Sequence, residues 1–178
     1  KEIWKDITWL QSVSQETYNK VAELFQYQVY SQGEYLVKEN TPADSVFVIV
    51  RGTVQETTEH KTLAVLGPGD TLGVLNVLAD QVNKSSLVTE SPVTVLRIKY
   101  VKLHRLLSES NELEESLWDG AARNIAERVI KSDARYDSIR KNKLKAALDN
   151  GISYKLKEGQ EVKTNNMIAI LIEGKVYA

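Results

Sequence analysis

The 178-residue chain contains no cysteine, which excludes disulfide bonds, thiolate catalysis and zinc sites built on cysteine. Its two histidines, His60 and His104, have no partner at the spacing of a nucleophile or of a metal site. The 23 basic and 24 acidic residues nearly cancel, whereas a nucleic-acid module normally carries an excess of basic residues. No apolar run approaches the roughly 20 residues that span a bilayer. We therefore predict no catalytic residue, no metal, no nucleic-acid partner and no membrane span in this segment.

The chain also lacks a signal peptide at its start, and its last residues, Gly174 to Ala178, stop within a strand-like pattern. These features favour a segment of a larger protein. The apolar share of 42% and the charged share of 26% are typical of an ordinary soluble domain. We expect the isolated segment to be soluble.

What is present is a central region of short β-type runs between two helical regions. Ser14 is a candidate N-cap for a helix that follows it. From Tyr27 to Ile98, turn residues such as Gly33-Glu34 and Gly67-Pro68-Gly69-Asp70 separate short runs at strand length. Nearly all connections are too short to hold a crossover helix, so the strands should be antiparallel.

Helical patterns return at Tyr100. One apolar stripe contains Val101, Leu103, Leu106 and Leu107, and a longer one runs from Leu113 to Val129. Within the longer stripe we predict that the ring of Trp118 is a packing anchor. A short helix around Leu144 should end at Asn150-Gly151.

The last residues contain a candidate internal repeat. Residues 46–54 align with residues 168–176: each block has five apolar residues, a charge, a glycine, a polar residue and a valine. Gly33 to Val37 similarly resembles Gly159 to Lys163. Two unrelated buried hairpins could look alike, but two matched blocks in the same order favour a duplicated unit. We predict a first domain over residues 1–131, and a linker helix with a second β-rich segment over residues 132–178.

The glycine framework of residues 33–73 resembles that of the cyclic nucleotide-binding domain, with Leu66-Gly67-Pro68-Gly69-Asp70-Thr71-Leu72-Gly73 as its most specific part. The resemblance covers roughly residues 3–130. It implies an α+β fold: an antiparallel β-roll of jelly-roll type flanked by helices, here followed by a second partial β segment.

In that family a cassette between two strands holds the cyclic phosphate and the ribose. Its pattern is Phe-Gly-Glu-Leu-Ala-Leu-Leu, followed after a few residues by Pro-Arg-x-Ala-Thr-Val. Without a gap, the family's Glu falls on Val74, its Pro on Val82 and its Arg on Asn83. The next residue, Lys84, is expected to be a poor substitute, because adjacent side chains of a strand point to opposite faces. No cofactor is therefore expected in this degenerate cassette, whose positions are Gly73, Val74, Leu75, Asn83, Ser85 and Ser86.

Among proteins with such a domain, this chain resembles the cytoplasmic C-terminal tail of sodium/proton exchangers of the plant Salt-Overly-Sensitive and sperm types. The resemblance rests on the hydrophobic replacement at Val74, on Leu117-Trp118, and on the string at residues 170–176. It implies a regulatory module at the cytoplasmic side of the plasma membrane that acts by domain docking. The expected partners are the rest of the antiporter, its dimer mate and a regulatory kinase.

Two other functions remain open. One is a domain of an exchanger or channel that still senses cAMP or cGMP, and the other is a ligand-free scaffold or transcription-regulator module. The sequence also leaves open whether Ser12, Ser85, Ser108 or Ser138 is phosphorylated.

Overall fold

The structure is a computed structural model that describes residues 7–59, 61–79, 81–131, 134–136, 138–152, 154 and 156–161. The chain forms two compact units, the first ending at Trp118 and the second beginning at Asp119. This division lies inside one continuous helix. The predicted domain boundary after residue 131 remains a prediction, because much of the second segment lies outside the described residues.

The first unit opens with a 3₁₀ turn, Thr8–Ser12, and helix α1, Gln15–Leu24. Ser14 is the N-cap of α1, as predicted: its hydroxyl oxygen accepts a hydrogen bond from the backbone N–H of Thr17. Trp9 and Leu10 in the turn are almost fully buried. The turn is therefore part of the hydrophobic core of this unit.

Strands follow from residue 26 to residue 99, interrupted by the short helix α2, Val74–Leu78. The described strands form two four-stranded sheets with the orders β1-β8-β3-β6 and β2-β7-β4-β5. Every pairing within them is antiparallel, which confirms the predicted roll. The strands are β1 Gln26–Tyr30, β2 Tyr35–Val37, β3 Ser45–Arg51, β4 Val54–Thr57, β5 Thr62–Leu66, β6 Thr71–Leu72, β7 Ser86–Thr89 and β8 Val93–Lys99.

Alternate side chains of the strands meet between the two sheets. Phe47, Ile49, Val93 and Val95 of the first sheet form one core cluster with apolar residues of the second. In β3 every residue from 45 to 49 is buried, so both faces of this strand are covered. The second face lies on the side of the helices, since α2 lies beside β3 and α3 beside β8. The central strand is thus shared by two layers of core.

Gly52, in the turn between β3 and β4, has a φ of +88°. A Cβ atom added at this glycine would lie 2.3 Å from the carbonyl oxygen of Pro92. Only glycine fits both the left-handed backbone and this close approach. The glycine of the predicted turn framework is therefore required by the geometry.

Three further helices follow: α3 Tyr100–Glu109, α4 Asn111–Lys131 and α5 Lys141–Asp149, with a 3₁₀ turn at Ala134–Tyr136. Asn150 follows the last residue of α5, as predicted. In α3 the stripe is only partly correct, because Leu103 and Leu107 are buried but Val101 is 81% exposed. Val101 lies two residues before Leu103, a rotation of about 200° around the helix, and is therefore on the face opposite to the buried one.

The packing anchors of α4 in the first unit are Leu113 and Leu117, both fully buried. Trp118, which we predicted as the anchor, is only half-buried. At a helical repeat of 3.6 residues, Leu113 and Leu117 lie one above the other, and Trp118 is rotated away from their face.

Most of the predicted second β segment, including Lys163 and residues 168–176, lies outside the described residues, and so does His60. The described residues of that segment, 152, 154 and 156–161, are not in strands. Among the described residues, no helix combines the length and the apolarity needed to cross a membrane.

We predict that Leu103→Ala lowers the free energy of unfolding by about 2–5 kcal/mol, because it leaves a cavity in a fully buried site. Val101→Ala, on the same helix, is the matched control and should change stability by less than about 0.5 kcal/mol. Urea denaturation followed by circular dichroism measures both. Equal effects of the two variants would contradict the assignment of the buried face of α3.

Candidate functional site

The cassette begins where β6 passes into α2. Gly73 is the N-cap of this five-residue helix and has a φ of +82°. An added Cβ would lie 2.7 Å from the carbonyl oxygen of Ser45, so β3 approaches the cassette backbone closely. The glycine that the family pattern requires is thus present and is also required sterically.

The side chains at the next positions of the cassette are largely buried. Val74 is 6% exposed and Val77 is fully buried, and both lie on α2. Leu75 is half-buried. The position where the family pattern has a ribose-binding carboxylate is therefore an apolar core position in this chain.

Asn83, at the position of the family's phosphate-binding arginine, is 5% exposed. Its side-chain amide donates to the carbonyl oxygen and the hydroxyl of Thr41, each at 3.1 Å, and to the carbonyl oxygen of Pro42 at 3.3 Å. Its backbone N–H also donates to the carbonyl oxygen of Thr41, and its own carbonyl accepts from Asn40. The donors of this side chain are thus used to hold the loop between β2 and β3.

The two serines of the cassette are also engaged within the roll. The Ser85 hydroxyl donates to a carboxylate oxygen of Glu56 at 2.7 Å, and Ser85 is 8% exposed. The Ser86 hydroxyl accepts from the backbone N–H of Glu39 at 2.9 Å. The Ser85 hydroxyl is thus engaged as a donor and the Ser86 hydroxyl as an acceptor within the roll.

Lys84 is exposed. We expected it on a strand, but β7 begins only at Ser86, so the argument from strand alternation does not apply to it. The reason is that residues 82–85 approach the 40–43 loop through a single bridge, between Val82 and Pro42, and do not form a ladder there. That Lys84 is a poor substitute for the missing arginine therefore stays a prediction.

Sequence reasoning missed Glu56, which lies two residues after the core residue Val54 on β4. Residues two apart share a face of a strand, so the half-buried Glu56 faces the interior of the roll. The signal was available in the sequence as an acidic residue at an inward position. Its partner Ser85 could not be identified without the tertiary structure.

Arg97 of β8 was missed in the same way. It lies two residues after the core residue Val95, and its guanidinium lies over the Phe47 ring, 5.6 Å from the ring centroid. Its Nε donates to the Ser45 hydroxyl at 2.7 Å, and one terminal nitrogen lies 3.3 Å from a carboxylate oxygen of Asp44. This inward cation therefore already has an anionic partner and a polar partner.

A chain of hydrogen bonds connects the strand before the cassette to α4. The indole N–H of Trp9 donates to the Thr71 hydroxyl at 3.3 Å, and the Ser116 hydroxyl donates to the carbonyl oxygen of Trp9. At the start of α4, a Glu112 carboxylate oxygen accepts from the backbone N–H of Ser14. The N-terminal turn thereby ties the cassette region to the first half of α4.

Candidate catalytic and metal sites gain no support. His104 is exposed on α3 and contacts the Tyr100 ring edge-on, with 5.3 Å between the centroids. Within the part of the chain that the structure describes, no group of histidine, aspartate and glutamate side chains has the arrangement of a metal site.

Comparison with known proteins gives the fold a name. Residues 27–110 match the family model of the cyclic nucleotide-binding domain. A solved structure of a Geobacter metallireducens GS-15 protein, described as a candidate cyclic nucleotide-binding protein, has a TM-score of 0.63 and 22% identity. That similarity covers 68% of this chain and 91% of the other. The architecture is therefore that of a cyclic nucleotide-binding domain, with antiparallel sheets flanked by helices.

Two relatives belong to the protein kinases. The chain is 25% identical over 126 residues to a Drosophila melanogaster cGMP-dependent protein kinase, isozyme 2 forms cD5/T2. The match covers 66% of this chain but only 14% of that kinase. A regulatory subunit of a cAMP-independent protein kinase A from Trypanosoma brucei has a TM-score of 0.52 at 16% identity, over 64% of this chain and 46% of the other.

We predict that Asn83→Ala lowers the free energy of unfolding by about 1–3 kcal/mol, because it removes the hydrogen bonds of a buried amide to the exposed 41–42 loop, each of which contributes about 0.5–1.5 kcal/mol. Hydrogen exchange should also speed up for the backbone N–H of Asn40, which donates to the carbonyl of residue 83. Lys84→Ala, at the exposed neighbour, is the control and should change neither quantity. Unchanged exchange at Asn40 in Asn83→Ala would contradict the bracing role of this side chain.

Proposed function

We propose that this chain is a regulatory module of a larger protein that acts by docking to other parts of that protein, without a cyclic nucleotide as its signal. The observation that carries this proposal is the hydrogen bonding of the cassette. The side chains of Asn83, Ser85 and Ser86 are all committed to partners within the roll.

The energetic argument concerns two lost charge-assisted interactions. A hydrogen bond to a charged group contributes about 1.5–3 kcal/mol, so the loss of two weakens binding by about 3–6 kcal/mol, or roughly 10²- to 10⁴-fold. Val74 and Asn83 stand at those two positions.

The fold is compatible with a role that does not depend on cAMP. The Trypanosoma brucei regulatory subunit belongs to a protein kinase A that is cAMP-independent, and it shares this fold. In this chain the half of α4 that lies in the first unit is held by Leu113 and Leu117 and by the bond from Ser116 to Trp9. That arrangement supports a module whose helices are positioned without a ligand.

For the larger protein, we propose a sodium/proton exchanger whose cytoplasmic tail contains this chain. The support is the resemblance carried by Val74, by Leu117-Trp118 and by residues 170–176. The partners would then be the rest of the antiporter, its dimer mate and a regulatory kinase, at the cytoplasmic side of the plasma membrane. The module itself is not an enzyme in this proposal.

A second candidate function is the sensing of cAMP or cGMP. The match of residues 27–110 to the family model and the similarity to a cGMP-dependent protein kinase favour it. Gly73 also stands where the family pattern has its glycine, at the start of α2, and backbone N–H groups at a helix start can face an anion. We rank this function second because Val74 and Asn83 replace the glutamate and the arginine of the family pattern.

We predict that isothermal titration with cAMP or cGMP gives a dissociation constant no tighter than about 0.1 mM, because a loss of roughly 10²- to 10⁴-fold from micromolar binding leads to about 0.1–10 mM. The double variant Val74→Glu with Asn83→Arg should recover only weak binding, since the new arginine replaces the amide that braces the 41–42 loop. The single variant Lys84→Ala is titrated in the same way as a control, which shows that the variants fold and corrects for the heat of dilution. A low micromolar constant for the native chain would favour the sensor.

The exchanger hypothesis predicts a separate result in membranes. Vesicles that contain the full-length protein should exchange Na⁺ for protons, and removal of residues 27–110 should alter the rate or its activation. Val74→Glu alone should leave the rate unaffected by added cAMP, because one carboxylate does not rebuild the cassette. Absence of any Na⁺-coupled proton movement, with the protein correctly inserted, would refute the exchanger assignment but not the docking role.

A further inference from the structure

Two serines in this chain follow an arginine by three residues: Arg105 precedes Ser108, and Arg135 precedes Ser138. An arginine at this distance is the feature that basic-directed serine/threonine kinases read by charge complementarity. The sequence alone gives these two sites equal weight. The structure distinguishes them.

Ser108 lies in the last turn of α3, and its hydroxyl donates to the carbonyl oxygen of Arg105 at 2.7 Å. A kinase cleft takes its substrate segment in an extended conformation. Presentation of Ser108 would therefore require the end of α3 to unwind, although Leu107 on the same turn is buried. The packing of α3 opposes this local unfolding.

Ser138 has the opposite surroundings. It is exposed in the connection between the 3₁₀ turn Ala134–Tyr136 and α5, and Arg135 in that turn is also exposed. A single 3₁₀ turn has poor hydrogen-bond geometry and opens at little cost. Helix α5, which follows this connection, is bonded to α4: Arg123 of α4 donates to the carbonyl oxygen of Leu148 of α5 at 3.0 Å.

The other two serines left open by the sequence are poor substrates. Ser85 is 8% exposed and its hydroxyl is bonded to Glu56. Ser12 is exposed, but the residue three positions before it is Trp9, which is buried. Only Ser138 among these four combines exposure, an irregular backbone and a basic residue at the required distance.

We propose that Ser138 is a phosphorylation site for a basic-directed serine/threonine kinase. The kinase would transfer the γ-phosphoryl group of Mg²⁺-bound ATP to the Ser138 Oγ. The new O–P bond forms as the bond to the β,γ-bridging oxygen breaks; the hydroxyl proton passes to the base of the kinase, and ADP leaves. The inference does not depend on whether the cassette binds a nucleotide.

The consequence is a change of charge in a basic segment. Residues 134–146 contain five basic residues against one acidic residue. A phosphate adds about −1.5 to −2 charges at neutral pH and supplies three strong acceptor oxygens. It stands two residues before Arg140, the N-cap of α5, whose first turn contains no acidic residue. Modification would therefore lower the formal charge of this segment, five basic residues minus one acidic residue, by about half.

The test uses the full 178-residue chain, Mg²⁺-ATP and the catalytic domain of a calmodulin-dependent protein kinase. Tandem mass spectrometry locates the phosphate, and the initial rate is compared with that of a synthetic peptide of residues 133–144. We expect one phosphoryl group on Ser138, none in Ser138→Ala, and a native rate within about tenfold of the peptide rate, because little structure must open.

Arg135→Ala should lower the rate about 10- to 100-fold, since a charge-assisted contact to the kinase is lost. Arg105→Ala is the matched control in the other motif and should leave the rate unchanged. Phosphate found only on another serine, or a peptide that is modified while the folded chain is not, would overturn the proposal. A peptide that is itself unmodified would overturn it as well.

Discussion

Burial of β3 on both faces is the constraint on which the first unit depends. Residues 45–49 of this strand are all buried, and they contribute Phe47 and Ile49 to the core between the sheets. The same strand approaches Gly73 so closely that no larger residue fits there. The position of the cassette, the covering helices and the sheet order are therefore coupled through one strand. A change in β3 would alter all three together.

In the cassette, positions that bind a ligand in the family pattern make structural contacts in this chain. Where the family pattern has a carboxylate and an arginine that face a ligand, this chain has buried Val74 and buried Asn83. The buried amide must satisfy its hydrogen bonds, and it does so on the loop between β2 and β3. Ser85 and Glu56 form a second internal pair. The polar side chains at these positions therefore stabilise the roll itself.

If the module acts without a cyclic nucleotide, as proposed, its signal must use surfaces outside the cassette. A signal acts only if it stabilises one arrangement of the protein over another. Phosphorylation of the exposed Ser138 would change the charge of its connection, whereas Ser85 and Ser108 cannot be modified without local opening. Regulation through charge on the second unit is consistent with the proposed function, in which no nucleotide is the signal.

The sequence by itself determined the antiparallel strands and the N-cap of α1, because these follow from local spacing and residue type. The β-roll and the missing charges at Val74 and Asn83 followed from the resemblance to a known family. Tertiary structure alone decided that Asn83 braces a loop some forty positions earlier in the chain, that Glu56 is the partner of Ser85, and that Trp118 is less buried than Leu117. These outcomes depend on contacts between segments distant in the chain and on the rotation of a helix against its neighbours. No local pattern encodes such relations, so the identical motifs at Ser108 and Ser138 became different only in the fold.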